Sequence, residues 1–372
     1  MERKKVDVSY NPQLGYLKTI FTHPFDFLTK IEKVEKTSDG VDLTVATYQG
    51  KTALVRINFA AEEIFRLRMY PLCHVPEKEN CVFDLGGYTD FTLEETDETV
   101  TLKTARLTLI FRKKPWEYAV LLDGKALTRE EVRDSNVDNM CKYLPIGFDC
   151  DEAGNPIRVR ETMYLYADEN FYGFGEKTGH LDKKGRRLRM SPKDAIGHDP
   201  ETGDPMYKHI PFYIRVNEHD LRPVGLFYHN SYDCVFDLGE ELSGYWERYC
   251  YYQTDGGDID LFLLAGETLP EILNEYTLLT GRSALPTKQS LGYCASTMYY
   301  AELEKDCDQE IYKVIDKHEK EGILIDNFWL ASGYSSGEKD NLRYVFNWNY
   351  KRFPEPEKFF ENMNARGTSS PT

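Results

Sequence analysis

Residues 323–336 read "ILIDNFWLASGYSS", an apolar run followed by a patch of small residues. In the apolar part, 323–330, only Asp326 and Asn327 are polar, and this character predicts a strand that is buried on both faces. Strands of this kind belong to parallel sheets, which helices cover on each side. The small residues 331–333 leave space after the strand. The stretch therefore predicts a parallel strand whose carboxyl end opens into a site.

The segments beside this strand repeat a strand–helix plan. A short buried strand is predicted at 291–295, a helix at about 302–321, and a second helix at about 355–365. Alternation of buried strands with helices is typical of parallel βα units. A third buried strand is expected to begin near the end of the chain, at 367–372.

The part of the chain before residue 268 has a different pattern. From about residue 10 to 265, short segments alternate apolar and polar residues with period two, which predicts an antiparallel β-sandwich. The predicted strands lie at 41–47, 53–59, 100–109, 117–122, 210–216, 222–229, 233–237 and 257–264. A helix at about 268–281, capped by Thr268, then links the two parts.

These patterns predict a mostly β fold with two domains. An antiparallel β-sandwich occupies 1–285, including the linker helix, and the start of an α/β domain occupies 286–372. The second segment has room for two βα units, whereas a complete eightfold barrel, for example, needs roughly 250 residues. Two parallel strands alone cannot bury both faces. The sequence therefore predicts an incomplete α/β domain in a truncated chain.

Composition narrows the function classes. The formal net charge of −16 argues against a nucleic-acid partner, and the one basic run, 183–189, is predicted to be a solvated loop. No apolar stretch is long enough to span a membrane, and residues 1–7 contain no secretory h-region.

Cysteine usage suggests a compartment. The eight cysteines include no C-x-x-C pair, so we expect reduced thiols in a cytoplasmic protein, with Cys294 as a small core residue. No cofactor motif and no metal-ligand cluster occurs in the sequence, so we expect no cofactor and no metal.

Four segments together resemble glycoside hydrolase family 31, which contains α-glucosidases, α-xylosidases and related retaining α-glycosidases. They occur in the order and at the spacing of that family, and the resemblance extends from about residue 60 to 367. The segments are "NFYGFGEKTGHL" (170–181), "MSPKDAIGHDPETGDPMYKHIPFYI" (190–214), "LTGRSALPTKQSLGY" (279–293) and "YVFNWNYKRFPEPEKFFENMNARG" (344–367).

The resemblance implies a galactose-mutarotase-like N-terminal sandwich and a (β/α)8 barrel whose first strands are 289–295 and 323–330. It also implies a catalytic pair of aspartates, a nucleophile after barrel strand 4 and an acid/base after strand 6. This chain ends before strand 3, so we expect neither carboxylate in it and no hydrolysis by the chain itself. The implied partner is a carbohydrate, an α-linked oligosaccharide or glycan.

Several residues match sugar-binding positions of the family. Asp194 matches an aspartate on a sandwich loop that reaches over the barrel mouth and binds sugar hydroxyls, a task that suits a carboxylate. The alternative is a loop aspartate that forms a turn with its own backbone. Asp199 and Asp204 are the fallback candidates.

The end of barrel strand 1 supplies another candidate group. Met298 lies where the family often has an aromatic ring lining the sugar pocket, with Tyr299 and Tyr300 beside it. Either one of the three lines the pocket, or all three are core residues. Structural roles are expected for Glu176 and Lys177 near the sandwich–barrel junction, and for Asp326 in its strand.

The clearest departure from the family follows strand 2. Family α-glucosidases read Asp-Ile-Asp-Tyr there, and the first aspartate holds the 4-hydroxyl of glucose. This chain has Ala331-Ser332-Gly333-Tyr334, so both aspartates are missing, while Ser332 and Tyr334 remain as substrate-binding candidates. Losing such a group is expected to change the preferred sugar. A galacto-configured sugar or one with an N-acetyl group fits the space, and the turn looks closest to α-N-acetylgalactosaminidase-like members.

Other interpretations stay open. The chain is either part of an α-glucosidase or α-xylosidase with an altered turn, or a non-catalytic carbohydrate-binding β-sandwich protein. A binding module predicts a complete aromatic platform on the sandwich and no barrel strand, so the strand at 323–330 argues against it. A scaffold protein would show repeats or a coiled coil, and neither occurs.

Overall fold

The computed structural model describes residues 25–76, 81–130, 145–217, 222–242, 248–296 and 298–371. The predicted start of the strand pattern near residue 10, the N-terminal residues 1–7 and Cys141 lie outside the described residues. The described part divides into two compact units, one up to Arg282 and one from Ser283. Within it, no helix combines the length and the apolar character that crossing a bilayer requires.

The first unit consists of antiparallel strands followed by one helix, as the alternating pattern predicts. Helix α1 (Leu269–Thr280) begins after Thr268, whose Oγ1 accepts a hydrogen bond from Glu271 N. The strands are β1 (Asp26–Lys36), β2 (Gly40–Thr47), β3 (Thr52–Ala61), β4 (Ile64–Pro71), β5 (Thr92–Glu95), β6 (Thr99–Lys103), β7 (Leu107–Arg112), β8 (Glu117–Leu122), β9 (Lys125–Arg129), β10 (Ile146–Cys150), β11 (Pro156–Tyr164), β12 (Glu169–Gly175), β13 (Arg187–Met190), β14 (His209–Asn217), β15 (Pro223–Tyr228), β16 (Cys234–Asp237), β17 (Tyr249–Thr254) and β18 (Ile259–Ala265).

These strands form two sheets. Strands β5 to β9 make a five-stranded sheet in sequence order, and the others make a 13-stranded sheet in the order β12-β14-β15-β18-β4-β3-β2-β1-β10-β11-β17-β16-β13. Strand β1 joins the two halves of the larger sheet, because its first residues pair with β10 and the rest pair with β2. One hydrophobic cluster contains residues of both halves, such as Val55 and Phe148, so the halves enclose a common core.

Two predictions for this unit are wrong. The segment 100–109 is not one strand but the hairpin β6–β7, in which Thr104 Oγ1 accepts hydrogen bonds from Arg106 N and Leu107 N at 3.3 and 2.9 Å. The basic run 183–189 is not a solvated loop either. The side chain of Lys183 is buried, and its ammonium group donates to the carbonyl oxygens of Thr178 and His180. The run is also not a loop throughout, because the residues from Arg187 onward belong to β13.

The core of the first unit contains buried charges that are paired. The guanidinium group of Arg215 donates to both carboxylate oxygens of Glu169, and both side chains are almost fully buried. Glu161 accepts hydrogen bonds from the hydroxyl groups of Tyr118 and Tyr228 at 2.6 and 2.8 Å. The carboxylates of Glu169 and Glu161 therefore have hydrogen-bond partners, whereas Oε1 of the buried Glu130 has none in the part of the chain that the structure describes.

The second unit is parallel, as the apolar strand at its centre predicts. Strands β19 (Cys294–Ser296) and β20 (Asn327–Trp329) pair in parallel. The other described elements are the α-helices α2 (Met298–Ala301), α3 (Cys307–Lys320) and α4 (Pro356–Ala365) and two 3₁₀ helices, Gln289–Leu291 and Ser332–Ser335. The segment 369–371 lies along the other edge of β20, where Phe328 N donates to Ser369 O and Leu330 N donates to Pro371 O. The contact is an isolated parallel bridge between Asn327 and Ser369, and the parallel sheet of the described residues has two strands.

Lengths and burial in this unit differ from the predictions. Strand β20 has three residues instead of eight, and Ile323, Leu324 and Trp329 are exposed. Strand β19 begins at Cys294 and is not buried, so the placement of Cys294 in the core is wrong. The helix predicted at 302–321 begins only at Cys307. Helices α3 and α4 cover one side of the strands with a small core that includes Ile311, Phe328 and Phe359.

Candidate functional site

The parallel pairing brings the ends of β19 and β20 to one edge of the sheet. Ser296 is paired with Trp329, so the chain leaves the two strands at Met298 and at 331–336 on the same side. In barrel enzymes this carboxyl edge holds the active site. The candidate site of the second unit is therefore built from α2 and from the turn 331–336.

The turn 331–336 lies directly against helix α2. A Cβ atom placed on Gly333 would lie 2.1 Å from the carbonyl oxygen of Ala301. No side chain fits at that distance, so the backbone at this position requires a glycine. The small residues of the turn thus allow its backbone to pack closely on the backbone of α2. They also leave space at the end of the strand.

A buried polar network holds the turn from the other side. Arg352 donates to Gly333 O at 3.0 Å and to Ser336 Oγ at 2.8 Å. Asn349 donates through its backbone N to Tyr334 O and through Nδ2 to Ser336 Oγ, and Ser336 is completely buried. The backbone of the turn is therefore fixed before any ligand arrives.

The hydroxyl group of Ser332 contacts a cation and not a carboxylate. Arg343 Nε donates to Ser332 Oγ at 3.0 Å, and the same guanidinium group donates to Glu302 through Nη2 and to Asn341 O through Nη1. Ser332 is exposed and the side chain of Arg343 is 41% exposed. This edge of the sheet therefore presents hydrogen-bond donors, where an aspartate would present an acceptor.

The three residues after β19 differ in exposure. Met298 and Tyr299 are exposed, whereas Tyr300 is half-buried and packs against the core of the second unit. The rings of Tyr299 and Tyr300 meet edge to face at 5.1 Å. Met298 and Tyr299 are therefore accessible to a ligand, and Tyr300 has a packing role at least in part.

Tyr334 belongs to an aromatic cleft. Its ring lies 5.0 Å from that of Trp348, and both rings line a cleft of about 610 Å³ in the second unit. The other lining residues are Ser335, Arg343, Tyr344, Val345, Phe346 and Asn347.

The acidic candidates of the first unit have distinct partners. Asp194 is exposed, and its Oδ1 accepts a hydrogen bond of 2.6 Å from the Tyr207 hydroxyl group. Asp199 Oδ1 accepts from the backbone N of Glu201 and Thr202, both at 2.8 Å, which is the turn-forming role of an aspartate. Both residues are exposed, but only Asp194 has a side-chain partner instead of the backbone of its own turn.

Asp204 and Lys177 form a buried pair. Lys177 Nζ donates to Asp204 Oδ1 at 2.5 Å and to Arg189 O at 2.6 Å, and Asp204 Oδ2 accepts from Arg189 N. Burial lowers the pKa of Lys177, while the hydrogen bond to Asp204 acts in the opposite direction. Asp204 is therefore engaged in fixing its loop.

The remaining structural candidates also have backbone partners. Glu176 Oε2 accepts from Lys208 N at 3.2 Å, and Asp326 Oδ2 accepts from Tyr293 N at 2.9 Å. The first unit also contains a cleft of about 950 Å³, which Asp204 lines together with Gly179, His180, Arg186, Arg187, Arg189, Pro200, Glu201, Thr202, Val235 and Glu240. Among the residues that the structure describes, no group of three or more His, Cys, Asp or Glu is placed to hold a metal ion.

Reasoning from the sequence missed Arg343, Asn349 and Arg352. Asn349 and Arg352 lie within the segment 344–367 that carries the family resemblance, but nothing in the local pattern distinguishes a buried arginine from a surface one. Arg343 lies just outside that segment, 11 residues after the serine that it contacts. No local signal in the sequence predicts that pair.

Two family models match the chain. A "Glycosyl hydrolase 31 N-terminal galactose mutarotase-like domain" matches residues 54–237, and a "Glycosyl hydrolases family 31 TIM-barrel domain" matches residues 283–370. Together they account for both units.

Curated relatives carry related names. The chain is 29% identical over 329 residues to alpha-glucosidase 2 of Bacillus thermoamyloliquefaciens, an alignment that covers 87% of this chain and 37% of the relative. It is 25% identical over 285 residues to alpha-xylosidase XylQ of Lactiplantibacillus pentosus, covering 75% of this chain and 33% of the relative. The chain thus spans little more than a third of the length of these relatives.

Solved structures share the fold. A family 31 dextranase of Flavobacterium johnsoniae, complexed with glucose, superposes with a TM-score of 0.74 at 20% identity, covering 92% of this chain and 38% of that one. A cycloalternan-forming enzyme of Listeria monocytogenes, in complex with a pentasaccharide substrate, gives a TM-score of 0.71 at 17% identity, covering 93% and 32%.

Proposed function

Because this chain belongs to glycoside hydrolase family 31, we propose that it is the N-terminal part of a retaining α-glycoside hydrolase that acts on terminal α-linked hexosides. We propose further that the enzyme prefers a galacto-configured sugar or α-linked N-acetylgalactosamine to glucose. The names of the curated relatives support the general activity. The sugar preference rests on the turn after β20.

The observation that carries the preference is the Ser332–Arg343 pair. A carboxylate at this edge would accept hydrogen bonds from sugar hydroxyl groups, but Ser332 Oγ already accepts one from Arg343 Nε at 3.0 Å. Guanidinium is a donor without acceptor capacity, and the serine hydroxyl group still has a proton to donate. Two donors suit an acceptor on the ligand, such as the carbonyl oxygen of an N-acetyl group.

The residues proposed to contact the substrate differ in exposure and in chemistry. Asp194, oriented by Tyr207, would accept hydrogen bonds from sugar hydroxyl groups. Ser332 would donate, and Met298, Tyr300 and Tyr334 would contact the apolar faces of the sugar. Of these three, Met298 is exposed, whereas Tyr300 and Tyr334 are half-buried.

Hydrolysis with retention needs two carboxyl groups about 5–5.5 Å apart, one as nucleophile and one as acid/base. No residues in this sequence match the family's catalytic pair by motif. We therefore propose that the 372-residue chain binds carbohydrate without hydrolysing it, and that catalysis needs a barrel that contains both carboxylates.

We also propose that the protein is located in the cytoplasm. The structure describes seven cysteines, and all seven are free thiols. Free thiols suit a reducing compartment, which supports the cytoplasm. A signal for secretion in the natural protein, or a disulfide between any two of these thiols, would contradict this.

A specific observation favours a second candidate, an α-glucosidase or α-xylosidase with an altered turn. The relatives described above carry those two names. The two candidates differ in what they predict for the terminal sugar, so one set of substrates separates them.

The test is hydrolysis of 4-nitrophenyl α-glycosides by an enzyme in which residues 1–372 are followed by the remaining strands and helices of a family 31 barrel. We expect cleavage of the α-N-acetylgalactosaminide or the α-galactoside to exceed that of the α-glucoside and the α-xyloside. Ala331→Asp should shift the preference toward the α-glucoside, with Ser335→Asp in the same turn as the matched control. Fast cleavage of the α-glucoside, with none of the α-N-acetylgalactosaminide, would contradict the proposed preference.

A further inference from the structure

His229, the residue after β15, has a partner on each nitrogen of its ring. Its Nε2 accepts a hydrogen bond of 3.2 Å from the backbone N of Cys81, and its Nδ1 lies 3.0 Å from Asp260 Oδ2. A backbone N–H group donates and a carboxylate accepts, so this geometry requires a neutral ring that carries its proton on Nδ1. The side chain of His229 is buried, which keeps water from replacing either partner.

Asp260 is fixed as an acceptor by a second cation. Arg66 Nε and Nη2 donate to its two carboxylate oxygens at 2.6 and 2.7 Å, and Asp260 is completely buried. Arg66 lies on β4 and Asp260 on the adjacent β18, so two strands of the sandwich hold the ring of His229 in position. The titratable side chains of this network, including those whose charges act on Arg66, are Asp258, Asp260, Arg66, Tyr70 and Cys81.

The segment 81–85, which His229 holds by its first backbone N, lies against the end of helix α1. Phe83 N donates to Leu279 O at 2.8 Å. The ring of Phe83 covers Gly281, because a Cβ atom built on that glycine would lie 2.8 Å from Phe83 Cε2. The contact at His229 is therefore continuous, through three residues of chain, with the last turn of α1.

Apolar contacts join the same two elements. Val82 and Leu85 pack against the hydrophobic cluster that contains Leu279 of α1. Helix α1 is the last element of the first unit, which ends at Arg282. Movement of the segment 81–85 would therefore reach the point at which the chain leaves this unit.

A change of protonation at His229 is incompatible with one of its two contacts. Since Nδ1 already carries a proton, a second proton binds at Nε2, where it would point at the N–H group of Cys81. Two donors cannot share a hydrogen bond. Imidazole titrates around pH 6.5 when its surroundings do not perturb it. A fall in pH through this range should break the contact with Cys81, while Asp260 keeps its hydrogen bond to Nδ1.

We propose that His229 is a pH-sensitive latch of the first unit. Its neutral ring holds the segment 81–85 against the end of α1, and a proton on Nε2 releases that segment. The release increases the mobility of residues 279–282, from which the chain continues into the second unit. This proposal does not depend on the choice of sugar, because none of its residues is a proposed substrate contact.

The experiment is hydrogen–deuterium exchange of the 372-residue chain over a series of pH values from about 7.5 to 5. Protection factors, which correct for the intrinsic effect of pH on exchange, are compared between peptides from 81–85 and peptides from β3. We expect the protection of 81–85 to fall about 30-fold over this range, the ratio for an imidazole that titrates near 6.5 in the released form alone. Protection of β3 should stay constant.

His229→Gln is the variant that removes the titration. The glutamine amide can accept from Cys81 N and donate to Asp260, but it does not bind a proton in this pH range, so the protection of 81–85 should become independent of pH. His74→Gln is the matched control, because His74 is an exposed histidine of the same connection between β4 and β5. This control should keep the full pH dependence.

Nuclear magnetic resonance of the natural chain with ¹⁵N-labelled histidine gives a second readout, which does not require His229→Gln to fold. We expect the ring of His229 to carry its proton on Nδ1 at about pH 7.5 and to gain the Nε2 proton over the range in which 81–85 loses protection. A ring that carries a proton on Nε2 already at the higher pH overturns the proposal.

The exchange data can overturn the proposal in three ways. Protection of 81–85 that does not change with pH contradicts the latch, as does the same change in His229→Gln as in the natural chain. An equal loss of protection in β3 would mean that acid unfolds the whole first unit, and the latch would again be wrong.

Discussion

Strand β3 of the first unit and strand β19 of the second are in opposite situations. In β3 the side chains of Ala53, Val55, Ile57 and Phe59 are completely buried, and both edges of the strand are paired. In β19 the side chains of Cys294 and Ser296 are exposed, and among the described residues only β20 pairs with it. An antiparallel sandwich closes its own core, whereas a parallel sheet depends on layers that cover both faces.

The difference extends to the polar groups. The first unit buries charges with their partners deep in its core, as Arg215 and Glu169 show. The second unit places its buried polar network, centred on Arg352 and Ser336, directly beneath the candidate site. The buried polar groups of the first unit therefore lie within the sandwich core, and those of the second unit hold the turn that carries the candidate site.

The largest expected effect is on the first unit. Arg215→Ala leaves the Glu169 carboxylate buried without its cation and should lower the free energy of unfolding by about 3–5 kcal/mol. Urea denaturation followed by circular dichroism measures it. Lys33→Ala removes an exposed ion pair with Glu35 and should cost less than about 1 kcal/mol. Equal losses for the two variants would contradict the view that the core pair stabilises the sandwich.

A smaller effect is expected in the second unit alone. Gly333→Ala forces a Cβ atom against the carbonyl oxygen of Ala301 and should destabilise this unit by about 1–3 kcal/mol. Hydrogen–deuterium exchange should accelerate in peptides from 294–371 and stay unchanged in peptides from 25–76. Ser335→Ala, in the same turn, is the control. Faster exchange in both regions would show that the two units do not unfold independently.

The smallest effect depends on pH and concerns the first unit again. Burial raises the pKa of Glu130 well above its usual value, and the charge of Glu161 adds to the shift. As the pH rises past about 4.3, the unfolded chain loses this proton while the folded chain keeps it, so the free energy of unfolding falls with pH. Glu130→Gln removes the ionisable group, so the free energy of unfolding of this variant lacks that decrease with pH.

The stability of the Glu130→Gln variant relative to the natural chain should therefore increase as the pH rises from about 4. Urea titrations at a series of pH values measure it. Glu98→Gln, at an exposed position, controls for the lost charge. A difference that does not change with pH would mean that the folded protein ionises Glu130 as readily as the unfolded chain does.

Strands such as β2 and β3 could be predicted because they are buried mainly on one face, whereas β15 and β18 are buried along their whole length. Alternation then reports directly on which residues face the core, as in β2 and β3. The error at 100–109 has a visible cause. Apolar residues fall on even positions at Val100 and Leu102 but on odd positions at Leu107 and Leu109, and this change of phase marks the turn at Thr104.

The second unit was harder to predict for a physical reason. A continuous apolar run indicates that other elements cover both faces of a strand, but it does not indicate how many of its residues pair with a neighbouring strand. The strand predicted at 323–330 is therefore longer than the observed β20. The small residues at the end of β20 predict a site there, and that site stays a prediction. The Ser332–Arg343 contact could not be predicted, because it depends on how the chain returns between 337 and 343.

The close approach of Gly333 to helix α2 also limits which positions of this turn can be redesigned. A Cβ atom built on Gly333 would lie 2.1 Å from the carbonyl oxygen of Ala301, so a carboxylate can be placed at 333 only if α2 moves. Ala331 already carries a Cβ atom, so its backbone already accommodates the start of a longer side chain. An attempt to engineer the specificity of this turn should therefore begin at position 331 and leave the glycine in place.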